Sequence, residues 1–528
     1  MQIAAEMLPD DPAVLKAMVL ELQAQRAERD ARISQLKAVG EAAEARYQRL
    51  QIMLKTLLKS QYGKRSEKLG AARLDDDQLA FLFEEIETGL GEIQARLEHA
   101  VPNPERPKRV RKALPAHLER IEVVLEPEAL PCACGACEPV KIGEDVSERL
   151  DVTPARFCVI VTRRPKYACK ACQDGVAQAP APGRLIEGGL PTERLLAQIA
   201  VAKYADALPL YRQEAIYARD QVELSRGLMA DWMGRVGFHL EPLADRILDL
   251  IRQGKRVFAD ETILPRLAPG SGKVKTAWLW TYLKDDRPYG GSDPPMVAYR
   301  FEDSRGGSCV SRHLAGFSGL LQVDGYAGYN ALIAPGRAAG AVTLACCWSH
   351  LRRYFYKLHD AGISTTATET VQRMAGLWAI EAEIRGRSPV ERMRVRQERS
   401  APIVAGLWQL WEAELPRIPG SSKLAEAIRY GLTRREAFNR FLDDGRIDLD
   451  NNHVERAIRP QTITRKNALF AGSEAGGQTW ATIATLLATC RLNDVNPQAW
   501  LTQTLERIAQ GWPQSKLDEL LPWNYRAG

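Results

Sequence analysis

RVFADETIL, residues 256–264, decides how this chain is read, because the apolar run Val257, Phe258, Ala259 ends on an acid, Asp260. A short continuous apolar run bounded by polar residues reads as a buried strand, and an acid at its end emerges at the strand's carboxyl edge. The same arrangement returns in LLQVDGYAGY, residues 320–329, where Leu320, Leu321 and Val323 precede Asp324. A third acid, Glu455, stands in DNNHVERAIRP, residues 450–460, a segment of helical character. Two strand-end aspartates and a helical glutamate are hard oxygen ligands. Brought together by folding, they would hold a pair of Mg2+ (or Mn2+) ions about 4 Å apart, which clamp the attacking and leaving oxygens of an in-line phosphoryl displacement. The chemistry implied is cutting and joining of phosphodiesters. Glu261 beside Asp260, and Asp448 or Asp450 near Glu455, are also placed to serve as ligands, and spacing alone leaves them open.

Outward from these acids the chain reads as strand (277–283), strand (296–301), helix (307–315), strand ending at Asp324, helix (327–333), strand (341–347) and helix from His350. Counting the strand before Asp260, this is the order of a ribonuclease H-like fold, in which the first and fourth strands lie side by side and would make neighbours of Asp260 and Asp324. Helical sequence then intervenes before Glu455, an insertion at about 360–445. Its Trp378, Trp408 and Trp411 read as the insert's own core in preference to a surface for stacking DNA ends. Around Glu455 gather Arg456, Arg459, Arg465 and Lys466, which suits a ligand beside an anionic substrate better than a plain surface Glu455–Arg459 pair. Arg352 and Arg353 form a second basic stretch after His350, and that histidine reads either as structural or as a group that orders a phosphate or water. PGSGK, 269–273, lacks the glycine spacing and the Ser or Thr of a phosphate-binding loop and is read as a loop.

At 528 residues the chain exceeds one core and reads as α/β and multidomain. Net charge is only +6, from 72 basic and 66 acidic residues, so clustering must carry any argument for nucleic acid. The acidic start MQIAAEMLPDDP lacks the features of a secretory signal, and no run of about 18 apolar residues occurs, so a cytoplasmic protein with no membrane partner is expected. Residues 1–100 read as long helix, either a coiled-coil dimer or a helical hairpin, with a basic turn carrying Lys64 and Arg65. A proline-rich basic linker follows at 101–125 with Lys108, Arg109 and Arg111, suited to a phosphate backbone or merely to solvent. In 126–185, CACGAC and KYACKACQ place Cys134 and Cys137 opposite Cys169 and Cys172, with Cys132 an alternative ligand, as for a structural tetrahedral Zn2+ site. Cys158, inside a strand-like run, reads as core. Residues 186–250 read as three short helices, the last capped by Ser225: a helix-turn-helix offering Arg226 and Arg235 to DNA, or plain helical linkers. The catalytic core with its insertion spans 251–480, and 481–528 form a C-terminal helical region.

Taken together, YGKRSEKL, IGEDVSERLDVTPARF, RPKYACKAC, ADET, VDGYAGY, CWSHLRRYF, DNNHVERAIRP and TRKNALFAGS make the chain resemble, along nearly its whole length, transposases of the insertion sequence sixty-six family, within the DDE group of transposases and integrases. The resemblance implies that Asp260, Asp324 and Glu455 are the DDE triad, with a leucine-zipper-like amino-terminal region, a zinc module, a helical insertion, and small accessory proteins encoded by the same element. Departures are Tyr62 in place of the usual aromatic, Thr464 where glycine is common, and CACGAC instead of C-x-x-C. The function expected is nicking of element ends in double-stranded DNA and joining of the freed 3′ hydroxyls to target DNA, by a homodimer or higher assembly. A metal-dependent nuclease that cuts without joining, and an inactive DNA-binding regulator derived from a transposase, are the alternatives.

Overall fold

The computed structural model describes residues 118–127, 139–153, 156–169, 176–268, 273–333 and 341–526, with residues 91–93, 114 and 116 and scattered positions between 11 and 30. Four strands open the described chain: β1 (Glu119–Val124), β2 (Pro139–Thr153), β3 (Arg156–Cys169) and β4 (Val176–Gln178). β2 and β3 form a long antiparallel hairpin, β1 adds to β3 in parallel and β4 pairs β3 antiparallel. β1 therefore occupies the end of the span read above as linker. Cys158 is buried here.

Three helices follow: α1 (Glu193–Tyr204), α2 (Leu210–Tyr217) and α3 (Arg226–Arg252). Thr192 and Ser225 cap α1 and α3 by accepting from Leu195 N–H and Leu228 N–H. The third is not short. Met229, Trp232, Met233, Val236, Leu240, Leu243, Ile247 and Ile251 recur at helical spacing and are buried, so α3 is a 27-residue spine against the sheet that follows.

That sheet holds β5 (Arg256–Ile263), β8 (Trp278–Lys284), β9 (Met296–Glu302), β10 (Gly319–Val323) and β11 (Val342–Cys346), in spatial order β11-β10-β5-β8-β9. A small hairpin, β6 (Arg266–Ala268) with β7 (Lys273–Lys275), stands apart, and the tip of PGSGK between them lies outside the described residues. β10 runs parallel to both β5 and β11, while β8 and β9 are antiparallel to their neighbours. Helix α4 (Gly307–His313) links β9 to β10, and a 3₁₀ stretch, Ala327–Leu332, follows β10. Val257, Phe258 and Ala259 are all buried, as suits a central strand covered on both faces.

After β11 come α5 (Trp348–Asp360), α6 (Thr365–Ile384), α7 (Pro389–Val395), α8 (Ala401–Glu414), α9 (Lys423–Leu432) and α10 (Arg435–Asp443). They enclose a second hydrophobic core in which Trp348, Trp408 and Trp411 are buried; Trp378 packs at its margin. Leu320, Ala345 and Cys346 of the sheet belong to this core, whereas Leu321 and Val323 face the first, the alternation expected of a strand.

The chain returns to the sheet as α11 (Asn452–Ala468), α12 (Glu474–Leu492) and α13 (Pro497–Ala509). The boundary read at 480 falls inside α12, whose Trp480, Leu486 and Leu487 lie in the first core. α12 also seals an edge. Tyr299 N–H donates to Thr485 Oγ1 (2.8 Å) and Val297 N–H to Thr489 Oγ1 (3.2 Å), satisfying the outer side of β9 that no strand pairs. No helix among the described residues is long and apolar enough to cross a membrane.

Candidate active site

β5 does not stop at Asp260. Its parallel register with β10 ends at Phe258–Gln322, but its antiparallel register with β8 runs on through Asp260–Thr281 to Ile263–Trp278. Asp260 therefore sits where the two central strands part, rather than at a strand end as its sequence suggests. Asp324 follows the last residue of β10, one strand away. Its carboxylate accepts from Tyr326 N–H (2.8 Å), and its carbonyl accepts from the Tyr430 hydroxyl. Gly325 has φ +92°, and a Cβ there would stand 2.8 Å from that hydroxyl oxygen, so both backbone and space demand glycine.

Glu455 reaches the same place through Gln322, the one polar residue in the run before Asp324. Its buried amide donates to Asp448 C=O (2.9 Å) and accepts from Asp448 N–H (2.8 Å), holding the segment that leads into α11 beside β10. Glu455 then lies in the first turn of α11. With Asp260 it lines a cleft of about 740 Å³ together with His350, Arg353, Asn452, Arg456, Arg459 and Thr462.

The electrostatics tie the acids to one another. The Asp260 carboxyl is pushed up to about 8, first by burial and then by Glu261, Asp324 and Glu455. Glu455 Oε1 stands 3.5 Å from His350 Nε2 and 3.4 Å from Arg353 Nη2. Burial lowers the His350 pKa, against the pull of Glu455. Among the described residues, no three carboxylate, imidazole or thiolate side chains are already spaced to hold one ion. The donor chemistry nonetheless fits a hard divalent cation: oxygen ligands only, with like charges whose crowding a cation would relieve.

The other acids that spacing left open are occupied. Glu261 accepts from Arg305 Nε (2.8 Å) and from the Tyr329 hydroxyl (2.7 Å), and its side chain is fully buried. Asp448 is held by Arg256 (3.0 Å) and Arg392 (2.7 Å); burial opposes its charge, yet these cations keep its carboxyl below the usual range. Asp450 accepts from Trp378 Nε1 (3.0 Å) and Asn452 Nδ2 (2.6 Å). Arg305, Arg392 and Tyr430 were not singled out from sequence. Each meets its partner across dozens of residues, and no local period carries that information.

Of the basic residues proposed for DNA, Arg353, Arg456 and Arg459 line the cleft. Arg352 borders a neighbouring groove, with its guanidinium over Tyr356 and Trp378. Arg465 is spent on Thr262 Oγ1 (3.2 Å) and the Ile263 carbonyl, tying α11 to β5, while Lys466 is exposed. Arg226 is half-buried, at the start of α3. Arg235 is not offered to a groove. It pairs with Asp231 (2.9 Å), its side chain is 13% exposed, and Gly91 crosses α3 so closely that a Cβ there would meet the Asp231 carbonyl oxygen at 2.0 Å. Lys64, Arg65, Lys108, Arg109, Arg111, Cys132, Cys134, Cys137 and Cys172 lie outside the described residues, as does the Cys169 side chain. The backbone still places Cys169 opposite Pro139, which follows Cys137 by two residues in sequence.

Residues 188–479, more than half of the chain, match the family described as Transposase IS66 family. The chain belongs to the IS66 transposase family. Three further matches fill in this transposase: the IS66 C-terminal element at 485–523, the transposase C of IS166 homeodomain at 49–123, and the zinc-finger binding domain of transposase IS66 at 131–173. The transposase is 60% identical over 530 residues to the uncharacterized protein y4qI of Sinorhizobium fredii (strain NBRC 101917 / NGR234), covering 98% of each chain. It is 45% identical to y4jD of the same organism, over 78% of this chain and 82% of that one, and 37% identical to y4hP, over 90% and 88%. A transposase acts on DNA, so DNA is its partner.

Proposed function

We propose that this transposase cuts the ends of its mobile element and joins the freed 3′ hydroxyls to target DNA, using Asp260, Asp324 and Glu455 as a metal-binding triad on a ribonuclease H-like core. One observation carries the reading: Asp260 and Glu455 line one cleft and Asp324 ends the neighbouring strand, so that burial first, then Glu261, Asp324 and Glu455, push the Asp260 carboxyl up to about 8. The strand order, with its parallel β10–β5 pair between two arms, is the order expected of that core.

The triad would hold two Mg2+ or Mn2+ ions, which when bound supply Lewis acidity and lower the pKa of coordinated water. The rest falls to the chain. Arg353, Arg456 and Arg459 set the phosphates of the scissile strand against the cleft, and His350, 3.5 Å away, helps position Glu455. In the first step a water oxygen bonds to phosphorus and the 3′ oxygen leaves, taking a proton. In the second, that 3′ hydroxyl attacks a target phosphodiester, whose own 3′ oxygen departs. Zinc, on Cys169, Cys172 and two of Cys132, Cys134 and Cys137, would brace the end of the β2–β3 hairpin. Holding two ends together calls for a dimer or higher assembly on DNA, with the element's small accessory proteins as further partners.

The test is a gel assay with pre-cut element ends in Mg2+. Asp260→Asn, Asp324→Asn and Glu455→Gln each reduce joined product by about a thousandfold or more. Normal joining by Asp260→Asn would refute the mechanism, and a wild type that cuts uncut ends but joins no pre-cut ones would favour the nuclease.

A further inference from the structure

On the reverse side of α11 from the cleft lies a second cavity, of about 620 Å³. Its body is apolar, built by Leu283 and Val297 of the sheet, Ala457 and Pro460 of α11, and Leu487 and Leu492 of α12. Its rim is cationic: Arg287, Arg385, Arg456 and Arg491 border it, against one lining carboxylate, Asp285. Arg287 is neutralised by Asp285 (2.8 Å) and Arg491 by Asp206 (3.0 Å). Arg385 and Arg456 have no acidic partner among the described residues. Arg385 comes from the insertion, which docks here through Gly386 N–H to Pro288 C=O (2.8 Å). Arg456 also lines the catalytic cleft, so one guanidinium borders both spaces.

An apolar chamber of this size behind two uncommitted guanidiniums fits a flat ring that carries a phosphate. We propose that the cavity binds a nucleotide, its base among Leu283, Val297, Ala457 and Leu487 and its phosphate between Arg385 and Arg456. Where that nucleotide is an unpaired one of the strand in the cleft, the assignment rests on the transposase mechanism above; a free nucleotide would use the same chemistry without it. Unstacking a base costs a few kcal/mol, least at an unpaired end, and an apolar slot behind α11 would repay it at the end being joined.

The full-length protein is titrated, without metal, with a blunt duplex, with the same duplex extended by unpaired nucleotides on one strand, and with deoxyadenosine monophosphate. The extended duplex is expected to bind about tenfold more tightly than the blunt one. Ala488→Trp, which fills the cavity from α12, and Arg385→Ala, which removes an exposed cation and keeps the fold, should each abolish that preference and leave blunt-duplex affinity unchanged. Binding of the mononucleotide that both variants lose, without any preference between duplexes, identifies a free nucleotide as the occupant. Equal affinity for the two duplexes with no mononucleotide binding overturns the proposal, as does a preference that survives in Arg385→Ala. Loss of all duplex binding with mononucleotide binding intact counts against the transposase mechanism and not against the cavity.

Discussion

Asp260 keeps its proton to about pH 8, against a usual 3.8, because burial and three neighbouring acids disfavour its anion. Between those two values the unfolded chain has lost a proton that the folded chain retains, so stability falls as pH rises through this window and is untouched below it. At about 1.4 kcal/mol per unit, even a quarter of the displacement is worth ~1.4 kcal/mol. With divalent cations chelated, the melting temperature should therefore drop from about pH 5 to pH 8, and Asp260→Asn should flatten the drop, read by scanning calorimetry. Asp448 presents the opposite case, a buried acid stabilised by Arg256 and Arg392. Asp448→Ala removes the buried carboxylate that Arg256 and Arg392 share and should cost about 3–5 kcal/mol in urea unfolding. Sequence spacing leaves Asp448 and Asp450 open as substitutes for Glu455. What separates them is the identity of their partners, Arg256, Arg392 and Trp378, which come from distant segments that no local pattern links to them.

For single elements, α3 and α11 make opposite predictions. The exposed stripe of α11 carries Arg456, Arg459, Ile463 and Lys466, leading away from Glu455. Arg459→Ala should weaken DNA binding and reduce the slope of log K against log salt by about one, whereas Arg235→Ala should leave both unchanged. A filter-binding titration at several salt concentrations separates them. The strands around Asp260 and Asp324 were legible because each is a largely apolar run, and Trp408 and Trp411 of the insertion sit in its core as expected, while Trp378 stays at its margin. α3 was misread for an instructive reason. Its cap at Ser225 marks a start, but Pro242 and the charged stretch after it suggest an early stop, and only packing against β9 and α12 carries the helix to Arg252. β5 likewise overran Asp260 because β8 offers a continuing antiparallel partner, which is a property of the sheet and not of the run itself.

At the scale of the whole molecule, a near-balanced chain of net charge +6 still borders its cleft with Arg353, Arg456 and Arg459 and its cavity with Arg385 and Arg456. DNA affinity should therefore depend steeply on salt despite the modest total. Zinc content gives an independent check on the hairpin: Cys172→Ser should lower the metal measured by mass spectrometry of the native protein, without changing the Mg2+ requirement of the cleft. The order of the elements could be read from the sequence, but how the insertion meets the sheet could not, since that depends on Leu320 and Ala345 turning one way while Leu321 and Val323 turn the other. On that side the sheet has no outer wall of its own. Excising residues 365–443 would bare a greasy face and strip Arg392 from Asp448 in one stroke, so trimming this protein to a minimal nuclease is a problem of keeping it dissolved before it is one of keeping it active.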